Sequence, residues 1–238
     1  AYYLYLTGGV SPGGRLGAAV WSSTDLVNWK HHDVSIAGGR GIGAPTAFEY
    51  EGYVYLAGND TGLFRSRNPL GPFEFFGDFV DEHGHRLERS LHDFCRGCAD
   101  GGVFDAAVFV DDDSRVYLYY AGGAADGVYG VELDSADLRK FVGPAKHFFR
   151  FEPSHIWERY GSRNEMSTQS WIEGPWITKH SGTYYLQYAA PGTEWKTYGI
   201  GVYTSQDPLG PFDYYDGSPI LVHNGGLING SGHHSVVE

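Results

Sequence analysis

The chain has 238 residues, 16% of them aromatic, with 35 glycines and a formal net charge of -12 from 17 Lys+Arg against 29 Asp+Glu. That apolar and aromatic content excludes a disordered chain. The acidic balance, with no basic run, excludes an ordinary nucleic-acid binder and favours a neutral partner. No stretch reaches the roughly 20 apolar residues that a membrane-spanning helix needs.

In chain order, Tyr2-Tyr3-Leu4-Tyr5 opens as a strand, followed by a strand over residues 18–22 and the turn Ser23-Thr24-Asp25-Leu26-Val27-Asn28-Trp29. A fuller copy has a strand over 46–50, the turn Glu51-Gly52, a Tyr-rich strand over 53–56, a strand over 62–66 and then Pro69-Leu70-Gly71-Pro72-Phe73. The third copy runs through 107–110, a turn at 111–114, and 116–120. The fourth runs through 176–179, the turn His180-Ser181-Gly182, 184–188 and 199–205, and ends on Pro208-Leu209-Gly210-Pro211-Phe212. A fifth copy starts at Gly230-Ser231-Gly232-His233-His234. Hydrophobic strand, short turn, Tyr-rich strand is a meander, and its tyrosine pairs return about every 50 to 70 residues. The pattern predicts one all-β domain over residues 1–238, a five-bladed β-propeller with incomplete first and last blades. An open blade edge allows self-association.

In such a fold the start of each innermost strand faces the central channel. Two carboxylates occupy starts of this kind, Asp105 in Phe104-Asp105-Ala106 and Glu173 in Trp171-Ile172-Glu173-Gly174-Pro175-Trp176. Their apolar surroundings oppose ionisation, as a proton donor at neutral pH requires. The two are expected in the same register of separate blades. The alternative is a pair of ordinary turn or cap residues. Trp171 and Trp176 flank Glu173 and offer ring faces to the C–H faces of a sugar.

Together these pieces resemble glycoside hydrolase family 43, the five-bladed propellers of the arabinanase, arabinofuranosidase and xylosidase type. The matching residues are Ser23-Thr24-Asp25-Leu26-Val27-Asn28-Trp29, Ala44-Pro45, Leu70-Gly71-Pro72-Phe73, Phe104-Asp105, Val108-Phe109-Val110-Asp111-Asp112-Asp113, Glu173-Gly174-Pro175, Tyr184-Tyr185-Leu186 and Gly230-Ser231-Gly232-His233. The resemblance implies an inverting glycosidase acting on arabinose- or xylose-containing plant saccharides. It implies Glu173 as general acid and Asp105 as the aspartate that orients it and raises its pKa. The general base would be a first-blade aspartate preceding Tyr2-Tyr3, so the chain is expected to be a truncation. His233 matches a histidine near a channel metal ion or water cluster, and a structural calcium or other ion is a candidate there, with no cofactor required. Pro45 joins Trp171, Trp176 and His233 as substrate-binding candidates. Gly43 stands where relatives often have Trp.

Two insertions interrupt the repeat. Residues 77–102 hold His83, His85, His92, Cys95 and Cys98, a Cys-x-x-Cys without the second half of a zinc pattern. A disulfide or free thiols in a rim loop fit better than zinc. Residues 144–170 carry Trp157, a further candidate for sugar contact or for packing. A non-catalytic carbohydrate-binding propeller and a glycoside phosphorylase are the alternatives. The phosphorylase would need a basic phosphate cradle that Arg65, Arg96 and Arg163 do not clearly form. No secretory signal opens the chain. Removal of a leader would make it secreted or periplasmic; otherwise it is cytoplasmic.

Overall fold

The computed structural model describes residues 1–7, 18–36, 42–59, 62–87 and 103–237. The strands form four antiparallel sheets among these residues. The first is β1 (Tyr2–Leu6), β2 (Ala18–Ser23) and β3 (Lys30–Val34). The second is β4 (Thr46–Tyr50), β5 (Tyr53–Ala57), β6 (Gly62–Ser66) and β7 (Glu74–Asp78). In the third, β8 (Phe104–Val110), β9 (Val116–Ala121), β10 (Val128–Asp134) and β11 (Asp137–Phe141) lie side by side, and β12 (Lys146–Phe149) also pairs with β10. The fourth is β13 (Glu173–His180), β14 (Thr183–Ala190), β15 (Gly199–Ser205) and β16 (Asp213–Tyr214). No helix among the described residues is long and apolar enough to cross a membrane.

Alternation along the Tyr-rich strands makes this a propeller. All of β9 is buried. Val116, Leu118 and Tyr120 join the core shared with the second sheet, while Tyr117 and Tyr119 join the core shared with the fourth. Successive side chains point to opposite faces, so one strand feeds two cores only where a sheet lies on each side. A third core, built on Val20, Val34, Leu56, Phe64 and Phe73, joins the first two sheets.

The tyrosine hydroxyls lock neighbouring blades. Tyr5 donates to the carbonyl of Pro69 at 2.8 Å, and Tyr119 to that of Pro208 at 2.6 Å. Both acceptors open a Pro-Leu-Gly-Pro-Phe turn. The two turns share one backbone form, with left-handed glycines (Gly71 φ 68°, Gly210 φ 75°) and cis Gly–Pro bonds.

Two expectations change. Four blades are described, not five. The segment at 230–237 forms no strand. It is tied instead to the β14–β15 connection, through Gly230 N–H to the Lys196 carbonyl (3.3 Å) and Ser231 N–H to the Tyr198 carbonyl (2.9 Å). The insertion at 144–170 is also less separate than its length suggests, since it supplies β12. Of the other insertion, His92, Cys95 and Cys98 lie outside the described residues. His83 and His85 are exposed beside Glu82 and Asp81.

Candidate active site

In the second, third and fourth blades the start of the first strand lies beside the end of the second. Phe104 pairs with Ala121 and Glu173 with Ala189, and the Asn59 N–H donates to the Gly43 carbonyl at 3.0 Å. These ends converge on a cavity of about 710 Å³ whose lining includes Pro45, Asn59, Asp105, Trp171, Glu173, Glu194, Tyr198 and His233.

The pairings correct one expectation. Glu173 is equivalent to Phe104, so it stands one position before the level of Asp105, which corresponds to Gly174. Register shifts at the starts of β8 and β13 re-aim these residues. Ala44, Asp105, Gly174 and His233 are all left-handed, at φ 45°, 49°, 55° and 54°. For the three that carry a Cβ this conformation is strained, as residues held at functional sites often are. The offset lets Asp105 Oδ2 accept the Gly174 N–H at 3.1 Å, across two blades. The Asp105 N–H in turn donates to Asn59 Oδ1 at 2.8 Å.

Glu173 is 6% exposed and Asp105 3%. Burial pushes the Glu173 carboxyl up to about 7, and the nearby Asp105 charge adds to it. The Tyr198 hydroxyl, which donates to Glu173 Oε1 at 2.8 Å, pulls the other way. Burial likewise raises Asp105 to about 7, against hydrogen bonds from Gly174 and the Asn59 side chain. His233 lies with Nδ1 3.6 Å from Asp105 Oδ2, and burial lowers its pKa, so its ring is neutral at pH 7. His234 turns away, and its Nε2 pairs with Gln187 Oε1.

Among the described residues, no group of three or more His, Cys, Asp or Glu side chains could hold a metal ion.

The cavity gathers Glu173, Asp105, Trp171, Pro45 and His233, all marked in the sequence. Trp176 and Trp157 are not among its lining residues. Both pack against the core between the third and fourth blades, where the Trp157 indole N–H donates to the Tyr214 hydroxyl at 3.1 Å. Their apolar area does more there than at a wet rim. Sequence reasoning missed Asn59, Tyr198 and Glu194. Each follows a second strand or precedes a third, and antiparallel pairing returns those ends to the channel. Polar residues just after each Tyr-rich strand were the available signal.

The model for Glycosyl hydrolases family 43 matches residues 1–238. A beta-D-galactofuranosidase from Aspergillus niger, xynD, is 25% identical over 99% of this chain and 66% of its own length. An arabinoxylan arabinofuranohydrolase from Bacillus subtilis is 30% identical over 82% of this chain and 40% of its own length. The chain thus spans two thirds or less of these relatives. The crystal structure of a thermostable family-43 glycoside hydrolase superposes with a TM-score of 0.74 at 27% identity, over 99% of this chain and 75% of that one. With one family model matching from end to end, this chain belongs to glycosyl hydrolases family 43.

Proposed function

We infer that this chain hydrolyses glycosidic bonds of pentose-containing plant saccharides of the arabinoxylan type, with inversion, and that Glu173 protonates the leaving oxygen. The observation that carries this reading is a carboxyl held near pH 7 by burial and by a second buried carboxyl, at the wall of an open cavity. A group with that pKa holds its proton at the pH of the reaction and still releases it readily. Tyr198 donates to Oε1, which leaves Oε2 to carry the acidic proton toward the glycosidic oxygen. Asp105 is pinned by the Gly174 N–H beside Glu173, and its charge when ionised adds to the rise in the acid's pKa. Trp171 gives the sugar a ring to pack on.

Inversion also needs a base on the opposite face of the sugar to activate water. Following the resemblance, that role is assigned to a first-blade aspartate preceding Tyr2. The relatives named for arabinoxylan and for galactofuranose set the substrates to try. The test is hydrolysis of nitrophenyl α-L-arabinofuranoside, β-D-xyloside and β-D-galactofuranoside and of arabinoxylan, with and without an upstream extension that supplies the base. Proton NMR would follow the first-formed anomer. Cleavage with inversion, lost in Glu173→Gln, supports the reading. Oligosaccharide binding without cleavage in any form replaces it with a binding module.

A further inference from the structure

The connection between β14 and β15 and the insertion at 144–170 meet at the cavity rim. Tyr160 of the insertion donates its hydroxyl to Glu194 Oε1, and Trp195 meets the Tyr160 ring edge-on at 5.4 Å. Thr197 Oγ1 donates to the Gly161 carbonyl at 3.1 Å, a second tie between the two segments. The insertion is itself fixed from below. Glu158, 1% exposed, accepts the Tyr188 hydroxyl at 2.5 Å and the Glu152 N–H at 3.1 Å, and the Ser170 hydroxyl donates to the Glu158 carbonyl at 2.5 Å. Glu194, exposed at the rim, is thus held by the hydroxyl of a residue in an anchored segment.

Its carboxylate is also aimed. A Cβ placed on Gly192 would meet Glu194 Oε2 at 2.7 Å and Trp171 Cδ1 at 3.1 Å. Oε2 and the indole edge of Trp171 thus share the surface of one glycine, and both line the same cavity as Glu173. With Oε1 taken by Tyr160, Oε2 is the carboxylate oxygen left to accept a further hydrogen bond, beside an aromatic ring that lines the same cavity. That pair suits a sugar ring, whose hydroxyls donate to the carboxylate while its C–H face lies on the indole.

We propose that Glu194, held by Tyr160, is a substrate-binding residue that accepts a sugar hydroxyl pair at the rim, so that the insertion at 144–170 sets substrate choice. This rests on the glycosidase reading. Glu194 binds and does not transfer the proton, so its loss acts on KM and leaves kcat little changed.

The test separates binding from turnover. In a Glu173→Gln background, affinity for xylo- and arabino-oligosaccharides is read by calorimetry before and after Glu194→Ala and Tyr160→Phe. In the wild-type background, kcat and KM are read for the same changes. The expected result is a loss of affinity of about tenfold to a hundredfold for Glu194→Ala, the weight of a charge-assisted hydrogen bond. A smaller loss is expected for Tyr160→Phe, with a changed preference between the two sugars, and kcat should stay within about threefold. Unaltered affinity in both variants, with sugar still bound, overturns this proposal alone. A background that binds no oligosaccharide overturns the glycosidase reading and this proposal with it.

Discussion

The Tyr198 hydroxyl donates to Glu173 Oε1 at 2.8 Å, inside a pocket wall where both residues are buried. Tyr198 closes the chain's return from the β14–β15 connection, and its ring fills the space above Gly232, where any Cβ would come within 2.1 Å of it. Tyr198 thus holds the Glu173 carboxyl through its hydroxyl and meets the last described segment through its ring and its carbonyl.

Tyr198→Phe removes a bond that favours ionised Glu173. The acid's pKa then rises, and the alkaline limb of kcat/KM moves to higher pH. The acid also loses its anchor, and kcat falls by about tenfold. A pH–rate profile of the variant checks both effects.

The wild-type limb follows from the same carboxyl. In the proposed role Glu173 works protonated, so activity is expected to decline as pH rises through about 7. Asp105→Asn deletes the charge that adds to the burial effect. Burial remains, so the limb shifts toward lower pH without reaching that of an exposed glutamate. Titration of kcat/KM in wild type and variant reads the shift directly.

The same carboxyl gives stability a pH dependence that runs parallel to that of activity. The folded pKa of Glu173 lies above its unfolded value, so the native state binds more protons. Its contribution to stability is complete below about pH 4 and is lost as pH rises through about 7. Glu173→Gln removes that penalty and keeps an acceptor for Tyr198. At pH 8 it should raise Tm by roughly 3–6 °C, about 1–2 kcal/mol, and at pH 4 it should leave Tm nearly unchanged. Calorimetric melts at the two pH values decide it.

Away from the pocket, Asp111 at the end of β8 accepts Lys179 Nζ at 2.5 Å and the Tyr184 hydroxyl, both from the fourth blade. Burial alone would raise its pKa. The bonds from Lys179 and Tyr184 outweigh it and hold the carboxyl below the ordinary range. Its stabilising effect is present above the unfolded pKa and fades as pH falls. Asp111→Ala should lower Tm by several degrees at pH 7, and by less at pH 3, with the activity limb unmoved.

How much was legible in the sequence depended on whether a residue's role is local. Alternation and turn residues marked the Tyr-rich strands, and the paired Leu-Gly-Pro-Phe turns marked equivalent blades. The described residues hold four blades and not five, because the strand-like run at 230–237 gives its backbone N–H groups to the β14–β15 connection and forms no strand. Glu173 and Asp105 stood out as acids at strand starts, but their one-residue offset comes from bulges that spacing does not reveal. Trp176 and Trp157 stand near the acid or in a rim insertion, which suits sugar contact, and for Trp157 packing equally; both pack on the core between the third and fourth blades. Asn59, Tyr198 and Glu194 were missed because they reach the pocket only when antiparallel strands bring second-strand ends beside first-strand starts.

The central claim is that Glu173 gives its proton to the leaving oxygen, and leaving-group dependence tests it most directly. Wild type and Glu173→Ala are compared on an unactivated oligosaccharide and on a dinitrophenyl glycoside, whose leaving group needs no proton. Proton donation predicts a loss of about 10²–10⁴-fold on the oligosaccharide, a far smaller loss on the dinitrophenyl substrate, and no alkaline limb near pH 7 in the variant. Equal losses on both substrates, with the limb intact, would contradict it.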